Sequence, residues 1–464
     1  MAPDFARGGP LQDAPARENK RSDFAFPAAG VMAVLLVTVF FTVASYPGFM
    51  SYDSLEALRQ ARSHVEGSQY PPFGSYVWRV LDWIWPGPSL MQLFQNALLL
   101  GSLVWILHSL RWNPIAQVVT VIAVAALPPL TGTMLVVWKD VAMAAFYAAG
   151  FAALVHARLR ALPGKIWIAF GVLLLFCGMA YRFNAASGAL PLLIYAVWVA
   201  RARSGRREIV RAALGGTGLV LVLFVLVLVV NSFRFPSMER LERNTNMDGI
   251  MRYDLIGISR FSGESVTPAR DGGMVDVAYL RKIYDPRHVN ITAANDVEHR
   301  VAVQEPGEIA RYWVAAIRQH PGDYLRHRAA VFREYIGLHR HEPFYVTHPS
   351  VDENKLGISH TPNALTPVAV GYVWKARYSI LERAWVYYVA GLLSLVVFLP
   401  KRNRRFAGEA VAALGSGLLY LAPMFFISPA ADVRYNFWSI WGALLCLVFV
   451  VSSLLAARSD GRAS

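Results

Sequence analysis

Residues 212–231 read AALGGTGLVLVLFVLVLVVN, twenty positions without a charge. A helix rises about 1.5 Å per residue, so roughly 20 apolar residues cross a hydrocarbon core of about 30 Å. In lipid, only a helix or a closed barrel satisfies its own backbone hydrogen bonds. Directly before this run stands RSGRREIVR (203–211), with Arg203, Arg206, Arg207 and Arg211. Runs of this kind alternate with short basic clusters along the chain, and that alternation decides the fold class.

Working outward, apolar runs lie near 29–46, 89–110, 114–130, 137–157, 165–182, 186–200, 212–231, 384–400, 408–428 and 436–456. Of the 464 residues, 55% are hydrophobic and 16% charged, where a soluble domain carries roughly a quarter. The reading is an all-α polytopic membrane protein with about ten transmembrane helices. Basic clusters retained on the cytoplasmic side set orientation. Arg17, Lys20 and Arg21 precede the first run, and Arg111 follows the second. Arg158, Arg160 and Lys165 follow the fourth, Arg201 to Arg211 the sixth, and Lys401, Arg402, Arg404 and Arg405 the eighth. Arg458 and Arg462 close the chain. With ten spans every cluster falls on one face, and both termini are cytoplasmic in the cell inner membrane.

The expected organisation is a disordered tail (1–28), an N-terminal membrane module (29–231) with a first outside loop (47–88), and an extracytoplasmic segment (232–383). A C-terminal module (384–456) and a short tail (457–464) follow. The insertion reads as mainly helical. Ile309, Trp313, Ala316 and Ile317 line one helix face, Leu325, Val331, Phe332, Tyr335 and Ile336 another, and Pro321-Gly322 part the two helices. Arg260 to Asn295, rich in Gly, Asp and Pro, reads as irregular.

A net charge of +14 invites a nucleic-acid partner, but the basic residues cluster at helix ends and no nucleic-acid motif accompanies them. Cys177 and Cys446 sit inside apolar runs, so neither a disulfide framework nor a metal spacing is present. The polar lead before the first run, without a small-x-small cleavage site, favours an uncleaved anchor over a signal peptide. There is no Walker motif, no GxGxxG after a strand and no GxSxG elbow.

The first outside loop, YPGFMSYDSLEALRQARSHVEGSQYPPFGSYVWRVLDWIW (46–85), concentrates the chemistry. Pro47-Gly48 breaks the first span. Asp53 opens an amphipathic stretch, Tyr70-Pro71-Pro72 makes an elbow, and Trp78, Trp83 and Trp85 suit an interfacial belt. A carboxylate at the water–lipid boundary can take a proton from an attacking hydroxyl. The same Asp53 can equally cap a helix, with Glu56 completing a capping box. Lys139 and Asp140 open the fourth span, where ionisable groups are costly and often functional, and the two can also satisfy each other. Arg182 ends the fifth span. Asp432, Arg434 and Tyr435 precede the tenth. Three cations at the mouths of different helices suit an anionic phosphate. His339, Arg340, His341 and His348 lie in a His-rich run without a familiar zinc spacing, which reads as a solvated loop.

A first span ending in YPG, then SYDS, a helix with Gln60 and a Pro-Pro elbow, resembles the GT-C superfamily of membrane glycosyltransferases. These are relatives of protein O-mannosyltransferases and aminoarabinose transferases. Asp140 at the second outside loop, the insertion after the seventh span and Arg434-Tyr435 add to the resemblance. It implies a sugar donor linked to a polyprenyl phosphate, with Asp53 as general base and Lys139, Arg182 or Arg434 on the departing phosphate. Asp140, Glu56, Tyr70, Arg340, His341 and Tyr435 are secondary candidates; Tyr70 stands where members often carry His. No metal ligand set and no cofactor follow from the residues. A divalent metal stays open, although Asp53 has no adjacent acidic partner. The acceptor is a glycan, lipid or protein of the cell envelope. Two alternatives are an O-antigen ligase or polymerase using a polyprenyl-pyrophosphate donor, and a lipid-linked sugar flippase. The flippase expects charges near mid-membrane, whereas here they lie at span ends.

Overall fold

A computed structural model describes residues 28–63, 65–66, 71–160, 164–182, 184–201, 205–232, 239–240, 246–289, 308–338, 343–398 and 405–460. Among these, six helices are long and apolar enough to cross a membrane: Ser89–Ser109, Lys139–Arg160, Gly164–Tyr181, Arg206–Ser232, Ala407–Ile427 and Val433–Ala457. Pro114–Ala125 and Pro128–Met134 make a seventh if counted as one span bent by 77°. Shorter apolar helices, Ala28–Ala44, Ala186–Arg201 and Ala384–Val397, occupy the remaining apolar runs. The chain is an all-α polytopic membrane protein. Its strand content among the described residues is one parallel pairing of Val65–Glu66 with Glu239–Arg240.

Sequence explains which helix is central. Lys139–Arg160, here α7 after the six helices that precede it, reads KDVAMAAFYAAGFAALVHARLR and is buried on every side. Its alanines and glycine let neighbouring backbones approach closely, as lipid-embedded helices require when lipid is as apolar as leucine. A Cβ at Gly150 would meet the Gly171 carbonyl at 2.8 Å, and one at Gly178 would meet the Tyr147 ring at 2.4 Å. Arg206–Ser232, by contrast, carries an unbroken run of large apolar residues from Leu219 to Val230 and stays peripheral, with 17% of its apolar window buried.

At one end of the bundle the basic clusters converge. Arg158 pairs with buried Glu409, which also accepts from the Tyr195 hydroxyl at 2.8 Å. Arg160 donates to the His108 carbonyl (2.9 Å), and Arg201 and Arg211 share Glu208. Ends of the second, fourth, sixth, seventh and ninth apolar runs therefore meet there.

The opposite end carries the insertion. Its helices Asn246–Ser262, Val277–Ile283, Glu308–Gln319 and Pro321–Tyr335 enclose two small cores, while Thr366–Ala376 packs on the main core of the bundle. The expected irregularity from Arg260 onward is corrected: Asp276 accepts from the Ala278 and Tyr279 amides and so starts the helix Val277–Ile283. Pro321 likewise is no spacer but the first residue of its helix, where its missing N–H costs nothing. Asp254, His327 and Arg328 are fully buried together; Arg328 Nη2 donates to Asp254 at 2.8 Å, its Nε lies 2.7 Å from the other carboxylate oxygen, and Trp313 donates to the same carboxylate at 2.7 Å. Buried charges persist only when paired and hydrogen-bonded, and this cluster is. It also ties the insertion to the bundle, since Arg328 reaches the Ser428 carbonyl at 3.1 Å.

Candidate active site

Beyond the first span the chain runs extended through Phe49 and Met50 between two other segments. Val137 donates to the Phe49 carbonyl, Met50 to the Ser350 carbonyl and Asp352 to the Met50 carbonyl, each at 3.0 Å. The helix Tyr52–Arg62 starts where this strap ends. Its N-cap is Ser51, whose hydroxyl accepts instead from the Trp138 indole at 2.9 Å. The orphan Tyr52 amide is taken by Asp352, at 2.7 Å and 300 residues away, and the Ser54 hydroxyl donates to the Val137 carbonyl at 2.6 Å. The first turn is thus bolted to both neighbours. Asp53 is not the N-cap, and Glu56 completes no capping box: it pairs with Arg59, whose Nε donates at 2.7 Å.

Freed from capping, the Asp53 carboxylate meets Arg434 Nη1 at 2.8 Å, with 30% of its side chain exposed against 8% for the arginine. Arg434 Nε donates to Asp432 at 3.1 Å and Nη2 to the Tyr435 hydroxyl at 3.1 Å. The guanidinium lies 4.8 Å from the Trp138 ring centroid and 4.9 Å from that of Tyr435, contacts that favour a cation over an aromatic face. Arg182 stands 5.2 Å from the Tyr435 ring centroid and pairs with buried Asp140. The expected Lys139–Asp140 pair is therefore corrected to Arg182–Asp140. Backbone direction explains it, because adjacent residues on a helix face apart.

A small cavity of about 30 Å³ lies over this cluster, lined among others by Asp53, Trp78, Trp138, Lys139, Tyr181 and Arg434. Trp78 is 3% exposed and walls the cavity rather than joining an interfacial belt; Trp83 and Trp85 are the exposed members. Of the predicted residues, Asp53, Lys139 and Arg434 share the cavity, and Tyr435 joins Arg434 to Arg182. Glu56 is turned away toward Arg59. Tyr70, His339, Arg340 and His341 fall outside the described residues.

The loop that carries Arg434 is held from the insertion. Val289 donates to the Pro429 carbonyl and Ala431 to the Arg287 carbonyl, both at 2.7 Å. The Tyr335 hydroxyl donates to the Tyr435 carbonyl at 2.9 Å, and the Asn436 amide to the Tyr335 carbonyl at 2.8 Å. Burial pushes the Asp432 carboxyl up to about 6, with Asp53 adding to the effect and Arg434 opposing it.

Sequence reading did not single out Asp352 or Tyr345, and placed His348 in a solvated loop. His348 is 8% exposed, which corrects the solvated-loop reading at that position. Its Nδ1 lies 2.7 Å from the Tyr345 hydroxyl and its Nε2 3.2 Å from Asp352. No spacing signal links these residues to Asp53; only the fold brings them near. Among the described residues no three His, Cys, Asp or Glu side chains gather as metal ligands would. Two carboxylates, Asp53 and Asp432, converge on the Arg434 guanidinium.

No family model matches the chain, and no curated protein does. Among solved structures the chain is similar to that of ArnT from Cupriavidus metallidurans bound to undecaprenyl phosphate. Identity is 16%, the match covers 94% of this chain and 79% of that one, and the TM-score is 0.34.

Proposed function

We propose that the protein is a membrane glycosyltransferase of GT-C type. It moves a sugar from a polyprenyl-phosphate donor to an acceptor hydroxyl, with Asp53 as general base. One observation carries the reading: a half-exposed carboxylate and a buried guanidinium meet across a cavity at one end of the bundle. The sequence resemblance supports it independently.

The ion pair suggests how the site works. Arg434 keeps its Nε on Asp432 and offers Nη1 to Asp53. A donor phosphate competes for that nitrogen, since Arg binds phosphate in the same planar fork geometry as carboxylate. Lys139, at the cavity wall, adds positive charge. Once Arg434 turns to phosphate, Asp53 is released to accept the proton of the acceptor hydroxyl. The hydroxyl oxygen then bonds to the anomeric carbon as the bond from that carbon to the phosphate oxygen breaks. The electron pair leaves on the phosphate, where Arg434 and Lys139 meet the growing charge. Attack opposite the leaving group inverts the anomeric centre.

The convergence of basic clusters at the opposite end of the bundle supports cytoplasmic termini and an extracytoplasmic site in the inner membrane. A pyrophosphate-using ligase or polymerase has less need of a carboxylate in this position. The test is mass spectrometry of cell-envelope glycolipids and glycans from cells with and without the protein. It is paired with sugar release from a polyprenyl-phosphate donor by the reconstituted chain. The reading expects one glycosylated product to vanish and the donor to be consumed; an unchanged glycan profile with no donor turnover overturns it.

A further inference from the structure

A second cavity, of about 370 Å³, is lined among others by Arg287, Phe344, Tyr345, Thr347, His348 and Trp374. Hydrogen bonds tie its wall to the loop of the site above. Phe344 stacks flat on His288, with ring centroids 4.8 Å apart and planes 17° from parallel. Neighbouring Arg287 accepts the Ala431 amide, on the loop that bears Asp432 and Arg434. Thr347 is pinned by a 2.8 Å hydrogen bond to the Gly132 carbonyl. Tyr345 lines this cavity, and the charges of Asp352, Asp432, Arg434 and Asp53 all reach its hydroxyl.

Tyr345 is also strained. Its φ of 55° lies in the left-handed region that bulky side chains rarely adopt, and such strain collects at ligand clamps. The hydrogen bond to His348 and a stacked contact, 5.8 Å between ring centroids, hold it there.

The lining of this cavity differs from that of the first. Among the described residues no carboxylate lines it, and Arg287 is already paired with Asp285 at 2.7 Å, so a phosphate finds little to bind there. Arginine, histidine and threonine make it a poor sleeve for a lipid tail. Half-open aromatic faces, Tyr345 and Trp374 each 38% exposed, beside hydroxyl and imidazole groups suit a flat ring with apolar C–H faces and a polar rim. Specific pockets combine aromatic walls and a few placed polar groups in this way.

We propose that the cavity behind Tyr345 is the acceptor subsite and takes a sugar ring, so that the acceptor is a glycan or glycolipid. This rests on the glycosyltransferase reading of the neighbouring site. Saturation-transfer NMR on the full chain in lipid nanodiscs tests it, with methyl α-mannoside, methyl β-glucoside and methyl β-galactoside as probes. Wild type and Asp53→Asn are both expected to transfer saturation to at least one glycoside. Phe344→Ala/Trp374→Ala is expected to lose the signal at least tenfold while binding polyprenyl phosphate as wild type does. Trp374→Ala alone, at a half-exposed position, is expected to lose it severalfold with unchanged thermal stability. No transfer to any glycoside, or equal transfer in the double variant, overturns the proposal, as does loss of polyprenyl-phosphate binding in that variant with glycoside binding kept. Failure of the parent reading looks different: Asp53→Asn would then turn over donor normally whatever the glycosides do.

Discussion

Replacing Asp432 by asparagine isolates one charge at the centre of the site. Burial raises its carboxyl from 3.8 to about 6. The folded chain then holds this proton more tightly than the unfolded chain does. The stability it contributes is full below about pH 3.8, falls as pH rises through the window, and is lost above about 6. At about 1.4 kcal/mol per tenfold, the loss between the two limits is roughly 3 kcal/mol. Asparagine keeps the shape and still accepts from Arg434 Nε, but does not titrate. Whatever fixed cost the substitution carries, the variant therefore gains on wild type by about 3 kcal/mol between pH 4 and pH 7.5. Thermal unfolding followed by tryptophan fluorescence in lipid nanodiscs measures it, and the gap between the two melting curves is expected to shift by several degrees. Curves that stay parallel across this range refute the account of Asp432.

Arg434→Ala is expected to weaken polyprenyl-phosphate binding about 10–100-fold, as loss of a charged hydrogen bond does, measured by titration of the purified protein. It also strands Asp432, so Asp432→Asn/Arg434→Ala should recover stability without recovering binding. Gly132→Ala would place a Cβ 2.3 Å from the Val346 carbonyl oxygen; overpacking of this kind costs about 1–3 kcal/mol and should show as a lower melting temperature. Reporter fusions at Gly205 and Gly272 should report cytoplasm and exterior respectively; a cytoplasmic report at Gly272 would reverse the orientation.

Hydropathy made the helical membrane fold legible because the bilayer demands length and apolarity from each run, whatever its neighbours. It could not show that the run 114–130 bends by 77° at Leu127-Pro128, since hydropathy reports composition and not direction. At the site, Asp53, Lys139 and Arg434 were visible as charges at span ends. Their pairing was not. Asp140 finds Arg182 on another helix, and the Tyr52 amide finds Asp352 from the insertion. Both are consequences of tertiary packing, for which one sequence holds no periodic signal. Trp78 misled for a similar reason: a tryptophan near a span end suits the interface, and only the packing of its helix turns it into the cavity.

Turnover by Asp53→Asn tests the central claim most directly. Ser51, not Asp53, sits at the N-cap, and Arg434 keeps its pair with Asp432 in the variant, so the variant should fold. Asparagine leaves Arg434 to the phosphate yet cannot take a proton. The account predicts polyprenyl-phosphate binding equal to or tighter than wild type, with sugar transfer reduced about 10²–10⁴-fold, while Glu56→Gln stays near the wild-type rate. Sugar transfer by Asp53→Asn at close to the wild-type rate would contradict it.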